Sequence, residues 1–162
     1  MEMKTFIMVS ITVIVVVAPF VIVYLKNKCK TGKTKSVLSK YSSLYNSNID
    51  ESDTLGNMAI GIDYKQRRLF FIKHYKSKEV EQIIDLNEIK SVKLVNEKRS
   101  VKTGKTSTLV VERIELVLAK KDNSNQNIIL EIYNENVNMV LSGEVQLANK
   151  WNTILENILH SN

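Results

Sequence analysis

The chain predicts a mainly β soluble domain of six or seven antiparallel strands, capped by one C-terminal helix and held behind a single N-terminal transmembrane helix. Three observations predict this. Residues 5–25 carry no charge, residues 57–134 alternate apolar and polar positions in short runs, and residues 144–160 change to spacings of three and four. An uncharged stretch of that length meets the ~20 residues a helix needs to cross the hydrocarbon core. Period two marks strands with one buried face, whereas three-four spacing marks a helix with one apolar stripe.

Residues 1–4 form a short tail, and the span runs from Thr5 to Leu25. Within it Ser10 and Thr12 can return their hydroxyls to the helix backbone, and Pro19 kinks a spanning helix without forbidding it. Tyr24 falls at the interface with the headgroups. A cleavable signal has a shorter apolar region followed by small residues. Here the one such site, Val16-Val17-Ala18, is followed by Pro19, which signal peptidases reject. A lipid-modified Cys29 would need small residues before it, and Lys26-Asn27-Lys28 stand there instead.

Charge gives the orientation. The net charge of +6 sits entirely in residues 1–40, which hold seven lysines against Glu2, while residues 41–162 balance 16 basic with 16 acidic residues. Lys26, Lys28, Lys30, Lys33 and Lys35 follow the span and only Lys4 precedes it. The positive-inside bias therefore places the C-terminal domain in the cytoplasm. A neutral domain lacks the basic footprint of a nucleic-acid binder. Cys29 is the only cysteine, so no intramolecular disulfide is available.

Residues 26–56 read as a polar linker, rich in serine and passing from basic to acidic at Asp50-Glu51 and Asp53. Inside it Val37, Leu38, Tyr41, Leu44 and Tyr45 recur at helical spacing. A helix there would either lie on the anionic leaflet or, more plainly, dock on the domain or fray.

The domain is expected over residues 57–160. Met58, Ile60, Ile62 and Tyr64 alternate with Asn57, Ala59, Gly61 and Asp63 in a half-buried first strand. Residues 64–67 make a polar turn, and Leu69-Phe70-Phe71-Ile72, 80–85 and 89–95 supply three more strands. Residues 98–107, basic and with Gly104, read as a loop. Strands over 109–119 and 127–134 follow, and 137–141 suggests a short last one. On the final helix Val145, Ala148, Trp151, Ile154, Leu155 and Ile158 share a stripe, with Ser142 placed as cap; Trp151, Ile154 and Leu155 are the expected core.

This arrangement resembles a pleckstrin-homology-like domain. The residues that carry the likeness are Ile60-Gly61-Ile62-Asp63 before a basic turn, Ile84-Asp85-Leu86-Asn87-Glu88-Ile89 between strands, and Leu147-Ala148-Asn149-Lys150-Trp151 on the helix. The resemblance implies a bent β-sandwich, or partly open barrel, plugged by the helix, and a binding or scaffolding role instead of a reaction.

The chemical motifs point the same way. Thr-Gly-Lys-Thr occurs at 31–34 and 103–106, but a phosphate-binding loop needs an earlier glycine where Asn27 and Arg99 stand. The two histidines, His74 and His160, have no neighbouring ligand residues to complete a metal set. No serine has an identifiable base, so neither catalysis nor a cofactor is expected. The candidate contact surface is basic: Lys65, Arg67 and Arg68 in the first turn, with Lys73 nearby, and Lys98, Arg99, Lys102 and Lys105 in the long loop. The expected partner is a protein held near the bilayer. The alternative is an anionic lipid surface met by those cations at ~1 kcal/mol each.

Overall fold

Among the described residues seven strands form two sheets, and within each sheet strands adjacent in sequence pair antiparallel. The computed structural model describes residues 17–18, 36–75, 78–103, 106–122, 126–138 and 140–161. The span expected over 5–25 lies outside the described residues apart from Val17 and Ala18, which are helical. Among the described residues no helix is long and apolar enough to cross a membrane.

The first sheet has the order β1 (Glu51–Leu55), β2 (Met58–Asp63), β3 (Arg68–His74), β4 (Glu79–Asp85). The second has the order β5 (Ile89–Thr103), β6 (Thr106–Lys120), β7 (Ile128–Asn134). A single 3-10 turn, Leu86–Glu88, passes the chain between them, and the Asp85 side chain caps it by accepting from the Asn87 amide at 2.8 Å. Leu86 and Ile89 flank this corner and are buried, which fixes the angle at which the second sheet begins.

Inward-facing residues of both sheets meet in one core: Met58, Ile60 and Ile62 from β2, Leu69 and Phe71 from β3, Ile114, Leu116 and Leu118 from β6, Leu130 and Ile132 from β7. Helix α2 (Glu144–His160) completes it with Ala148, Trp151 and Leu155, and Ile154 packs half-buried at its rim. The helix lies mainly on β5 and also reaches the outer edge of the first sheet. There the Trp151 Nε1 donates to Asp53 of β1 at 2.9 Å. At its other end Arg67 donates to the carbonyl of Ile158 at 3.1 Å, a cation on the negative end of the helix dipole.

Ser142 does not cap α2. Gly143 holds that position with φ 117°, where a side chain would be strained, and Glu144 folds back to accept from the Ser142 amide. That is the return half of a capping box, moved to the first residue of the helix.

Three expectations about boundaries change. First, ordered structure begins well before residue 57. Residues 36–44 are helical (α1), and β1 pairs with β2 from Glu51↔Ile62 to Leu55↔Met58. The expected half-buried β2 is therefore buried on both faces. Its outer face, with Phe70, Ile72 and Ile83, is covered by Val37, Leu38, Tyr41 and Ile49 in a second apolar cluster. Small residues make the space: a Cβ on Gly61 would stand 3.1 Å from both Leu38 Cδ2 and Ile49 Cγ2. Of the expected placements of a helix at 36–44, docking on the domain is the one observed.

Second, residues 98–107 are largely strand. Lys98 to Thr103 pairs with Thr106 to Val111, leaving only two residues between the strands. Valine, threonine and serine make up five of the six residues at 106–111 and are interspersed with cations at 98–103, and this β propensity outweighs the loop character of one glycine. Third, the described residues of 137–141 are not in a strand. The Asn134 side chain accepts from the Asn136 amide at 3.0 Å, and its carbonyl accepts from Val137 and Asn138, which turns the chain off the sheet edge.

Candidate interaction surface

The first basic turn is mostly committed to internal contacts. Asp63 ends β2 buried, and its carboxylate accepts from the amides of Gln66 and Asn48, each at 2.8 Å. Burial alone would raise its pKa, but these bonds and those from Ser47 and Lys65 outweigh it and hold the carboxyl below its ordinary value. The tightened turn puts Arg67 at φ 51°, aimed at the end of α2. Arg68 donates to the Tyr45 carbonyl and Ser47 hydroxyl, both at 3.2 Å, and to Gln66 at 2.8 Å. Its guanidinium also lies 5.4 Å from the Tyr45 ring centroid, so it binds the C-terminal end of α1 to the sheet. Of Lys65, Arg67 and Arg68, only Lys65 is exposed.

Lys73 is buried between the sheets, at 1% exposure, and carries no surface charge. Its Nζ donates to the carboxylate of Glu131 at 3.1 Å and to the carbonyls of Glu131 and Ile132 at 2.9 and 3.4 Å. Tyr75 and Asn134 donate to the same carboxylate at 2.7 and 2.8 Å. Desolvation lowers the Lys73 pKa against the pull of Glu131. Glu131 is pushed up by burial, yet its donors Asn134, Tyr75 and Lys73 hold it below the usual carboxylate range. With its donors engaged, Lys73 ties β3 to β7. The sequence signal was a lysine directly following the apolar run Leu69–Ile72 within β3, matched by Glu131 inside the apolar strand β7.

The second basic group stands apart from the body. Among the described residues β7 pairs with β6 over Arg113–Leu118 only, so Lys98–Thr103 and Thr106–Val111 continue past it as a two-stranded arm. Its base is braced by Arg113, 2.7 Å from Glu97 and 3.4 Å from Glu115. Register shifts between Glu97 and Lys98 skip Glu112, so Val111 falls back on the core side after Ile114. Cross-strand partners share a face, which places Lys98, Ser100 and Lys102 with Val111, Leu109 and Ser107. Leu109 is 69% exposed. Arg99 points to the opposite face, 2.9 Å from Glu135, and this pairing raises its pKa. The structure thus brings Lys98 and Lys102 together, engages Arg99 internally, and leaves Lys105 outside the described residues.

The remaining sequence candidates are structural. His74 lies 3.1 Å from Glu79, and His160 sits against the carbonyl of Glu156 in the last turn of α2. Among the described residues no group of three His, Cys, Asp or Glu could hold a metal ion. The second Thr-Gly-Lys-Thr joins two strands instead of a strand and a helix, and the first lies outside the described residues. No protein-family model, curated protein or solved structure matches this chain.

Proposed function

We propose that this chain is a non-enzymatic, single-pass membrane protein that presents a pleckstrin-homology-like binding module to a protein partner on the cytoplasmic side of the bilayer. The four-plus-three arrangement of antiparallel strands with one C-terminal helix supports the family reading. The uncharged span 5–25 and the lysines after it support the anchor and its orientation. The docked α1 means that about ten residues, Lys26 to Lys35, separate span from domain, so the module stands within ~35 Å of the bilayer.

The observation that carries the partner reading is the arm at 98–111, which extends past the last strand pairing of β7 and exposes Lys98, Lys102 and Leu109 on one face. The same cations favour a second reading, contact with anionic lipid. Two experiments separate them. Capture from solubilised membranes, with the intact chain and with residues 99–110 replaced by a short Gly-Ser turn, should lose its partner in the shortened form. Co-sedimentation of residues 36–162 with phosphatidylserine vesicles should show little binding. Strong, salt-sensitive sedimentation that disappears in Lys98→Ala/Lys102→Ala would transfer the function to the lipid surface.

A further inference from the structure

The two edges of the arm differ in kind. The β5 side carries Lys98, Arg99 and Lys102, charges of the sort that keep an edge strand from pairing. The β6 side, Thr106 to Val111, reads Thr-Ser-Thr-Leu-Val-Val, with no charge, glycine or proline. Its neighbour on the body side stops at the bond from the Glu135 amide to the Glu112 carbonyl, 3.0 Å. Beyond that point, among the described residues, β6 has a strand on one side only. A bare, β-branched edge with its backbone groups facing outward is a template for another strand.

We propose that a second copy of this chain pairs with that edge, β6 against β6, antiparallel about a two-fold axis through Leu109. The proposal rests on the arm being the contact surface, and names its occupant. Alternate residues of a strand send their N–H and C=O to opposite sides, so an antiparallel self-pair needs residues of like parity opposite each other and its axis passes through a residue. Centred on Leu109, the register sets Leu109 against the partner's Leu109, Thr108 against the partner's Val110, and Ser107 against the partner's Val111. The most exposed apolar residue of the arm is thereby covered by its own copy. The electrostatics agree. The tip of one arm, with Lys102 one strand behind Ser107, comes toward the base of the other, where Glu112 stands and Glu135 is already held by Arg99 of its own chain. An acidic peptide would find its cations on the β5 side instead, and a bilayer offers no partners for a row of backbone groups. Two anchors in one membrane also raise the effective concentration of a weak pair.

Site-directed cross-linking in native membranes tests this. The full chain with Cys29→Ser and Leu109→Cys should form a covalent dimer with a short bis-maleimide reagent. Lys102→Cys in the same background, two strands removed from its counterpart, should give at most a trace. Adding Thr108→Lys, which charges the edge, should abolish the Leu109→Cys dimer while unaltered Trp151 emission reports a folded domain. The proposal falls if Leu109→Cys cross-links no better than Lys102→Cys, if the dimer survives Thr108→Lys, or if Leu109→Cys attaches to a different protein. In that last case the arm remains a binding surface and only its occupant is wrong.

Discussion

Replacing Trp151 by alanine should remove most of the stability of the domain. The side chain is 0% exposed and packs where both sheets meet α2. Truncating a buried tryptophan costs ~3–5 kcal/mol, against a total of ~5–15 kcal/mol for a domain. Part of this is the indole bond to Asp53 at 2.9 Å, worth roughly 1.5–3 kcal/mol when the acceptor is charged. Trp151→Phe keeps most of the ring and loses that bond, so it should cost about 2 kcal/mol. Asp53 is not left bare, because Lys150 lies 2.7 Å away. Lys150 itself is 45% exposed and also pairs with Glu51 at 2.9 Å, so Lys150→Ala should cost under ~1 kcal/mol. Urea denaturation of residues 36–162 followed by circular dichroism orders the three variants. In the unaltered chain the single tryptophan should emit at short wavelength and resist iodide. Equal midpoints for Trp151→Ala and Lys150→Ala, or an indole freely quenched when folded, would refute the packing argument.

Other expectations follow from the same contacts. Starting the domain at residue 57 discards α1 and β1, baring Phe70 and Ile72 and depriving Trp151 of Asp53, so residues 57–162 should melt well below residues 36–162 in calorimetry. Gly61→Leu should dislodge α1 while the sheets stay folded, seen as faster amide exchange confined to 36–50. Asp63 has its folded pKa depressed, so its stabilisation is complete above the unfolded value and lost as pH falls through the lower folded one; Asp63→Asn should flatten the acid limb of a stability–pH curve and leave neutral-to-basic slopes unchanged. Lys73→Ala, which strips the buried partner from Glu131, should cost about 3–5 kcal/mol, and the double change with Glu131→Gln should cost less than the two separate changes summed, as read by a denaturation cycle.

What the sequence made legible was periodicity. The boundaries of β2, β4, β7 and α2 came within one or two residues because each has one clear repeat and a turn residue at its end. The miss at the start of the domain has a clear physical cause: it depends on what covers a face, which period alone does not encode. Leu69-Phe70-Phe71-Ile72 is a continuous apolar run, the mark of a strand buried on both sides, and Ala59 with Gly61 are the small residues that let a helix approach. Together they announced a covering element that composition assigned to a linker. The basic surface was misjudged for a related reason. A cation count says nothing about where side chains end, and Arg67, Arg68 and Arg99 end on a carbonyl, an aromatic ring and a carboxylate of the same chain.

On the proposed anchoring, the docking of α1 changes what a tether would do for this chain. A flexible linker would let the domain sample any orientation above the bilayer, so no face would be favoured for a partner. Here the last element before the domain is fixed to the first sheet by Leu38 over Gly61, by Arg68 on Tyr45, and by the bond from Tyr41 to Glu81, which pushes that phenol up to about 12. On that proposal, Lys26 to Lys35 are the sequence left between span and α1, and five of these residues are lysines of the kind an anionic leaflet attracts. Arg67 and Arg68, which a lipid-binding module would turn outward, are the residues that hold α2 and α1 in place. On the proposed anchoring, charge that could have gripped a membrane instead holds α1 and α2 against the sheets, and the arm at 98–111 is the extension whose direction those contacts set.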